Sequence, residues 1–353
     1  MKTLLIAMSG GVDSSVAALL TKEQGFHCHG VMMKLFSPAD LSPSARESQT
    51  EASTDAARAV AKRLGMPFAE VDLSEEFRTC VMSYFKDSYY RGETPNPCVE
   101  CNRRMKFGAL LKVADARGLD GIATGHYARI DHSGPRTLLL RAKDERKDQS
   151  YVLWQLTQAV LSRTLLPLGE LSKEEVRAIA ASAGFQNARV GDSQDICFVP
   201  DGDYVAFLEH FTRETYPGGE FVDAEGNFLG HHDGMIRYTV GQRKGLGIAF
   251  GAPTYVLSKD AATNRVMLGG NDALFSHELT AREANWIAIE SLTAHRRVKA
   301  KIRYNGPLAD AEVEPLDATH FRLRFDNAQR AVTPGQSVVL YEDDAVLGGG
   351  IIE

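Results

Sequence analysis

Residues 9–15 read SGGVDSS, between the apolar run TLLIAM (3–8) and a helical pattern over 14–24. Gly10 and Gly11 let the backbone turn tightly with its amides aimed at one point, and a helix beginning near Val12 adds the positive end of its dipole. Ser14 and Ser15 add hydroxyl donors, so the stretch reads as an anion cradle between a buried strand and a helix. It lacks the lysine of the G-x-x-x-x-G-K-[ST] phosphate loop. Asp13 suits either a Mg²⁺ held against phosphates or a helix cap.

The strand–helix alternation continues through the first half of the chain. Strand patterns HGVMMKLF (29–36), FAEVDL (68–73) and GIATGHYARI (121–130) are separated by helical patterns at 50–64, 75–90 and 104–117. This predicts a doubly wound α/β parallel sheet, with the loops after Met8, Phe36 and Ala123 meeting at the carboxyl-end crevice. Residues 151–216 read as mainly helical and hold a loop carrying Cys197. From Gly218 onward, short strands between Gly, Asn and Asp turns predict antiparallel β-barrel domains. The expected division is 1–150, 151–216, 217–280 and 281–353. The segment 37–48 has linker composition and is expected to be a loop over the crevice. With 353 residues, 44% apolar and 24% charged, the chain suits a soluble multidomain protein; its opening apolar run is too short for a membrane span or signal core. A net charge of −6 argues against indiscriminate nucleic-acid binding but leaves room for a basic face. HRRVKAKIRY (295–304) offers one, with Arg297, Lys299, Lys301 and Arg303 alternating against Val298, Ala300 and Ile302; Gln242, Arg243 and Lys244 form a second basic turn.

Five cysteines suit a reducing cytoplasm. Cys28 and Cys80 fall in strand and helix patterns and read as buried and inert. Cys98, Cys101 and Cys197 fall in loops bounded by Pro, Gly or polar residues, and Arg103, Arg104 and Lys106 stand where they favour thiolate. One Cys-x-x-Cys without a second argues against a closed four-ligand zinc site. A redox couple, an iron–sulfur ligand set and sulfur transfer all stay open at this point.

Several long motifs taken together resemble the tRNA-specific 2-thiouridylases, the MnmA/TrmU family. They are SGGVDSSVAALL (9–20), TPNPCVECNRRMKFG (94–108), ATGHYARI (123–130), KDQSYVL (147–153), DSQDICFV (192–199) and YTVGQRKGLGI (238–248). The SGGVDSS loop is similar to the pyrophosphate loop of ATP pyrophosphatases, which cleave ATP between the α- and β-phosphates. The resemblance implies adenylation of the C2 oxygen of the wobble uridine in the tRNA anticodon stem-loop, followed by sulfur insertion from a cysteine persulfide supplied by a carrier protein. By position, Ala7, Met8, Ser9, Gly10, Gly11, Val12, Asp13, Ser14 and Met33 would hold ATP with Mg²⁺, and Gly125 would meet the adenosine. Asn96, Pro97 and Cys98 would face the target base. Cys101 matches the family nucleophile, Cys197 matches the persulfide carrier, and the two would form a disulfide in turnover. His126, Lys147, Asp148, Gln149, Arg303, Tyr304 and Gln336 match tRNA contacts. One position departs: well-described members carry aspartate where this chain has Cys98. Related RNA thiolases hold a [4Fe–4S] cluster with three such cysteines, so Cys98, Cys101 and Cys197 imply either a persulfide relay or cluster ligands.

The chemistry fits these parts. Adenylation turns a poor leaving oxygen into AMP, and water must be kept from the adenylate. A ligase using the same loop on a small metabolite would need neither Cys101, Cys197 nor a basic β domain. A non-catalytic iron–sulfur or redox RNA binder would not need SGGVDSS.

Overall fold

The computed structural model describes residues 1–42, 50–189, 196–248 and 251–353. Half of the expected 37–48 loop (residues 43–48) and the first part of DSQDICFV therefore lie outside the described residues.

In chain order, the first half comprises β1 (Thr3–Ala7), α1 (Val12–Glu23), β2 (His27–Lys34), α2 (Thr50–Arg63), β3 (Phe68–Asp72), α3 (Ser74–Phe77) and α4 (Ser83–Tyr90). It continues with α5 (Pro97–Cys101), a π-helical stretch (Asn102–Ala109), α6 (Leu110–Ala116), β4 (Gly121–Ala123), β5 (Arg129–Asp131) and β6 (Leu138–Leu140). Then come α7 (Gln158–Leu161), β7 (Thr164–Leu165), α8 (Lys173–Ser182) and α9 (Tyr204–Thr212). A parallel sheet runs β3-β2-β1-β4-β7. β1 lies between β2, where Leu4 meets Cys28, and β4, where Leu5 meets Ile122. The chain lays β2 on one side of β1 and β4 on the other, so the carboxyl ends of β1 and β4 flank the switch point where such sheets bind ligands.

Two expectations change here. GIATGHYARI is not one strand: it stops at Ala123, turns through TGH, and resumes as the β5–β6 hairpin. The run YVLWQLTQAVLSRT is not one helix either. It breaks into a single 3-10 turn (Ser150–Leu153), α7 and β7, because Trp154, Tyr151 and Leu153 are all drawn into the core. β7 joins the parallel sheet beside β4.

The second half holds β8 (Gly219–Val222), β9 (Phe228–His232), β10 (Tyr255–Asp260) and β11 (Arg265–Gly269), joined as a sheet in the order β10-β11-β8-β9. After it come β12 (Phe275–Trp286), β13 (Arg296–Lys301), β14 (Ala309–Pro315), β15 (Phe321–Arg330), β16 (Ser337–Glu342) and β17 (Ala345–Ile352). These six close into a barrel through the β12–β17 pairing, and the β5–β6 hairpin extends it from the first half. A single apolar core crosses the junction, joining Leu5, Phe107, Ile122, Tyr151 and Trp154 to Val339, Tyr341, Val346 and Ile351 of the barrel. Trp154 donates to Ser337 Oγ at 2.9 Å and Tyr151 to the Ser337 carbonyl at 2.8 Å, so the buried polar ends are satisfied. No helix among the described residues is long and apolar enough to cross a membrane.

Candidate active site

The phosphate loop is held ready by its own side chains. Gly10 has φ +79°, and a side chain there would strike the Ser53 carbonyl at 2.2 Å. Gly11 is the N-cap of α1 and makes no side-chain cap bond. Ser14 Oγ donates to Gly11 O (3.0 Å) and accepts from Ser9 N (3.1 Å). Ser15 is wholly buried: it donates to Gly11 O and accepts from Asn187 Nδ2, which also bonds Gly10 O at 2.7 Å. Ser15 therefore braces the loop from behind instead of donating to an anion, and Ser14 is the hydroxyl at the loop's inner edge. Met8 is buried at the end of β1, its amide bonded to Val31 O, and Met33 of β2 packs partly buried against two of the cores.

Asp13 neither caps the helix nor stands open to a metal. Its carboxylate receives Lys173 Nζ at 2.7 and 2.8 Å and Tyr127 Oη at 2.7 Å. Lys173 is buried at the first position of α8, against the sign of that helix's dipole, which is the local signal that marks it in the sequence. Tyr127 and Asn187 carry no comparable signal, since each meets the loop only through tertiary packing.

Gly125 follows β4 and lies against the same loop. A Cβ there would stand 2.9 Å from Asp13 C and from Ser14 N, so only glycine lets the TGH turn approach this closely. His126, next in line, is buried; Thr124 Oγ1 lies 2.8 Å from its Nδ1, and its ring tilts against Phe107 at 5.3 Å. Burial, and then the charge of Lys106, holds it well below the ordinary histidine pKa, so it is neutral. The 147–149 segment packs on the same turn: Gln149 Oε1 accepts from Tyr127 N at 2.9 Å. Asp148 is buried and accepts from Ala142 N, Ser150 N and Ser150 Oγ, so its carboxylate holds this turn in shape. Lys147 is half-buried beside it.

Cys98 and Cys101 lie on a helix, not in the expected loop. Asn96 is its N-cap, accepting from Cys98 N at 3.1 Å, and Pro97 fills the first helical position. Cys98 is exposed and Cys101 buried. Arg103 and Arg104 do not serve the thiols. Glu100, itself buried, takes Arg104 Nε at 2.6 Å and Arg103 Nη1 at 3.6 Å. Lys106 is left as the cation facing the cysteines, and the expected thiolate is not favoured at rest: burial pushes Cys101 up to about 11, with Lys106 pulling the other way. Although Cys197 is exposed as a residue, desolvation of its sulfur and then the neighbouring Cys101 push it up to about 12, with Lys106 pulling the other way. Lys106 interacts with all three thiols; desolvation would lower it, but Cys101, Cys98 and Cys197 more than offset this. Tyr304 is close enough to feel Cys98, and Lys301 Nζ lies 5.8 Å from its ring centroid.

Arg303 donates to Arg330 O at 3.4 Å, and Gln336 Nε2 donates to Thr94 O at 2.7 Å, so Gln336 holds the cysteine-bearing turn directly. The basic face of β13 alternates as expected, with Val298, Ala300 and Ile302 buried. Half of its charge is neutralised, however, because Arg297 pairs with Asp326 and Lys299 with Asp310. A polar recess of about 240 Å³ is lined by Arg141, Glu145, Asp148, Lys301, Leu308 and Tyr341.

Neither inorganic group fits well. Among the described residues no three His, Cys, Asp or Glu side chains converge as a metal site, and the Asp13 carboxylate is already taken by an ammonium. The described residues therefore offer no preformed holder for an iron–sulfur cluster or for Mg²⁺.

A doubly wound domain with this loop at its switch point defines an ATP-pyrophosphatase-type catalytic unit joined to two β domains. Family models match in three consecutive pieces: the tRNA methyl transferase HUP domain over residues 2–201, its PRC-barrel domain over 205–270, and the aminomethyltransferase beta-barrel domain over 276–352. The tRNA-specific 2-thiouridylase MnmA of Acetivibrio thermocellus is 48% identical over 356 residues, covering 100% of this chain and 99% of its own. That of Clostridioides difficile is 45% identical, covering 100% and 98%. A solved 4-thiouridine synthetase–RNA complex with bound ATP aligns over 60% of this chain and 53% of its own, at TM-score 0.38 and 18% identity, too distant to bear on function. The chain belongs to the tRNA-specific 2-thiouridylase family.

Proposed function

We propose that this chain is a tRNA uridine 2-sulfurtransferase, which uses ATP to convert the wobble uridine of tRNA to 2-thiouridine. The supporting observation is contiguity. The phosphate loop touches Gly125, His126 packs on Phe107, and Lys106 beside it faces Cys98, Cys101 and Cys197. This chain of contacts supports a nucleotide site and a sulfur site served by one crevice, with the neutral His126 linking them.

The loop amides and the start of α1 stabilise the departing pyrophosphate as the uridine C2 oxygen attacks the α-phosphorus. The wobble base, in a single-stranded loop, turns into the crevice at lower cost than a paired one. The terminal sulfur of a Cys197 persulfide then attacks C2 to form a C2–S bond, and the C2–O bond breaks with its electron pair leaving on AMP. Cys101 thiolate attacks the Cys197 sulfur, the sulfur–sulfur electron pair leaves with the base, and a Cys101–Cys197 disulfide forms. A thiol reductant reopens it, and a persulfide-carrying donor protein reloads Cys197. Such a cycle needs a reducing compartment, which supports the cytoplasm. Mg²⁺ would arrive with the nucleotide.

The test supplies purified protein with ATP, an unmodified tRNA transcript and a persulfide source, and analyses digested nucleosides by mass spectrometry. Thiouridine is expected from wild type, and none from Cys197→Ser or Cys101→Ser. Thiolation by Cys197→Ser at the wild-type rate sinks the relay, and no tRNA-dependent AMP or thiouridine from wild type sinks the assignment.

A further inference from the structure

Lys106 is a half-buried ammonium for which no carboxylate partner is found among the described residues. Its basic neighbours in sequence are both committed to Glu100. Around it stand Cys98, the neutral His126, and the thiols of Cys101 and Cys197, both pushed above the ordinary range by desolvation. A cation held partly out of water without an anion is costly, and an anion that forms beside it is stabilised.

The backbone is bent to put it there. From Asn102 to Ala109 the helix is π, and at its end the Leu110 N–H reaches back five residues to Met105 O. In an α-helix a residue five positions on lies about 140° around the axis. With i→i+5 pairing it returns towards the same face, so Lys106 comes round beneath Cys101. Gly108 permits this, because a Cβ there would stand 2.6 Å from the Arg103 carbonyl oxygen, five residues back. Any other residue at 108 would press the segment towards α geometry and swing Lys106 away from the sulfurs.

We infer that Lys106 is the fixed cation of the sulfur-transfer step, holding the anionic sulfur in place, and that the glycine-permitted π stretch exists to set it beside the cysteines. This rests on the sulfurtransferase reading and adds a positioning residue to it. In each half of the transfer a sulfur carries the negative charge: first the Cys197 persulfide, then the Cys101 thiolate. Lys106 reaches both without moving. Adenylation occurs at the phosphate loop and does not draw on it.

The separation of the two steps supplies the test. Wild type, Lys106→Met, Lys106→Arg and Gly108→Ala are assayed in parallel for tRNA-dependent AMP release and for thiouridine. Wild type should give near one AMP per thiouridine. Lys106→Met should keep AMP release within about threefold while thiouridine falls about a hundredfold, the scale of losing one preorganised electrostatic partner. Acid-quenched Lys106→Met should still carry persulfide on Cys197 when preloaded. Lys106→Arg should recover most of the thiolation, and Gly108→Ala, which keeps the lysine but not its placement, should resemble Lys106→Met. Thiolation by Lys106→Met at the wild-type rate overturns the inference, as does parallel loss of AMP release and thiolation in soluble variants that still bind tRNA. Should Lys106→Met fail to fold, normal thiolation by Gly108→Ala is the overturning result. A wild type that makes AMP but no thiouridine fails the functional reading instead, which keeps the two failures apart.

Discussion

Gly125 shows how a residue without a side chain can set an active site. Its Cα lies where a methyl group would press on the Asp13–Ser14 backbone, so the ATP loop and the turn bearing His126 are fixed against each other by contact. Gly125→Ala should therefore lower tRNA-dependent AMP release about a hundredfold, because small displacements of positioned groups are expensive. Binding of tRNA, measured by filter retention, should stay within about threefold; unchanged AMP release would show that the turn does not position the loop. At this scale the sequence is legible where function is local. SGGVDSS announces its own turn, helix and buried strand. Tyr127 stays hidden because its partner Asp13 is 114 residues away. Arg103 and Arg104 mislead for a nearer cause: Glu100 stands three and four positions before them on one helix face, where ion pairs form readily.

At the scale of elements, the segment 97–116 is one continuous helical path in three parts, α then π then α. Its start is written in the sequence as Asn-Pro, a capping residue followed by proline at the first helical position. The same two residues also look like a loop boundary, and the chemistry of Cys98 and Cys101 favours that reading until the cap is weighed. Asn96 acts first as a cap, whatever it also offers a base. Asn96→Ala should cost about 1 kcal/mol in urea unfolding, while Asn96→Asp should keep near wild-type stability. Equal midpoints for Ala and wild type would show that the cap contributes nothing. The broken run at 150–165 is illegible for the opposite reason: its apolar residues suit a buried helix, and only the barrel packing above it decides that Trp154 and Tyr151 face Ser337.

The whole molecule is arranged so that both β domains grip the strip of chain leading to the cysteines. From the barrel, Arg282 pairs with Glu93 at 2.9 Å, Pro334 O accepts from Thr94 N at 2.8 Å, and Gln336 holds Thr94 O. From the other β domain, Lys259 reaches Glu93 O at 3.4 Å and lies 5.7 Å from the Tyr89 ring centroid. The barrel's existence is visible from its turns and alternation, but its pairing is not. The cationic face of β13 looks free in the sequence because the carboxylates that neutralise it arrive from β14 and β15 by register alone. Lys259 is where this clasp responds to pH. Burial lowers it to about 8, with Glu93 acting against the shift. The ordinary lysine value is about 10.4, so between the two the unfolded chain binds more protons than the folded one, and this group makes stability rise with pH across that window. Below pH 8 both states are protonated, and its contribution is flat. Lys259→Met removes the titration, so the Tm of wild type minus that of the variant should be constant from pH 6 to 7.5 and grow more positive from pH 8 to 10. A difference that stays level or falls across the upper window would mean that Lys259 is not held away from water at this junction.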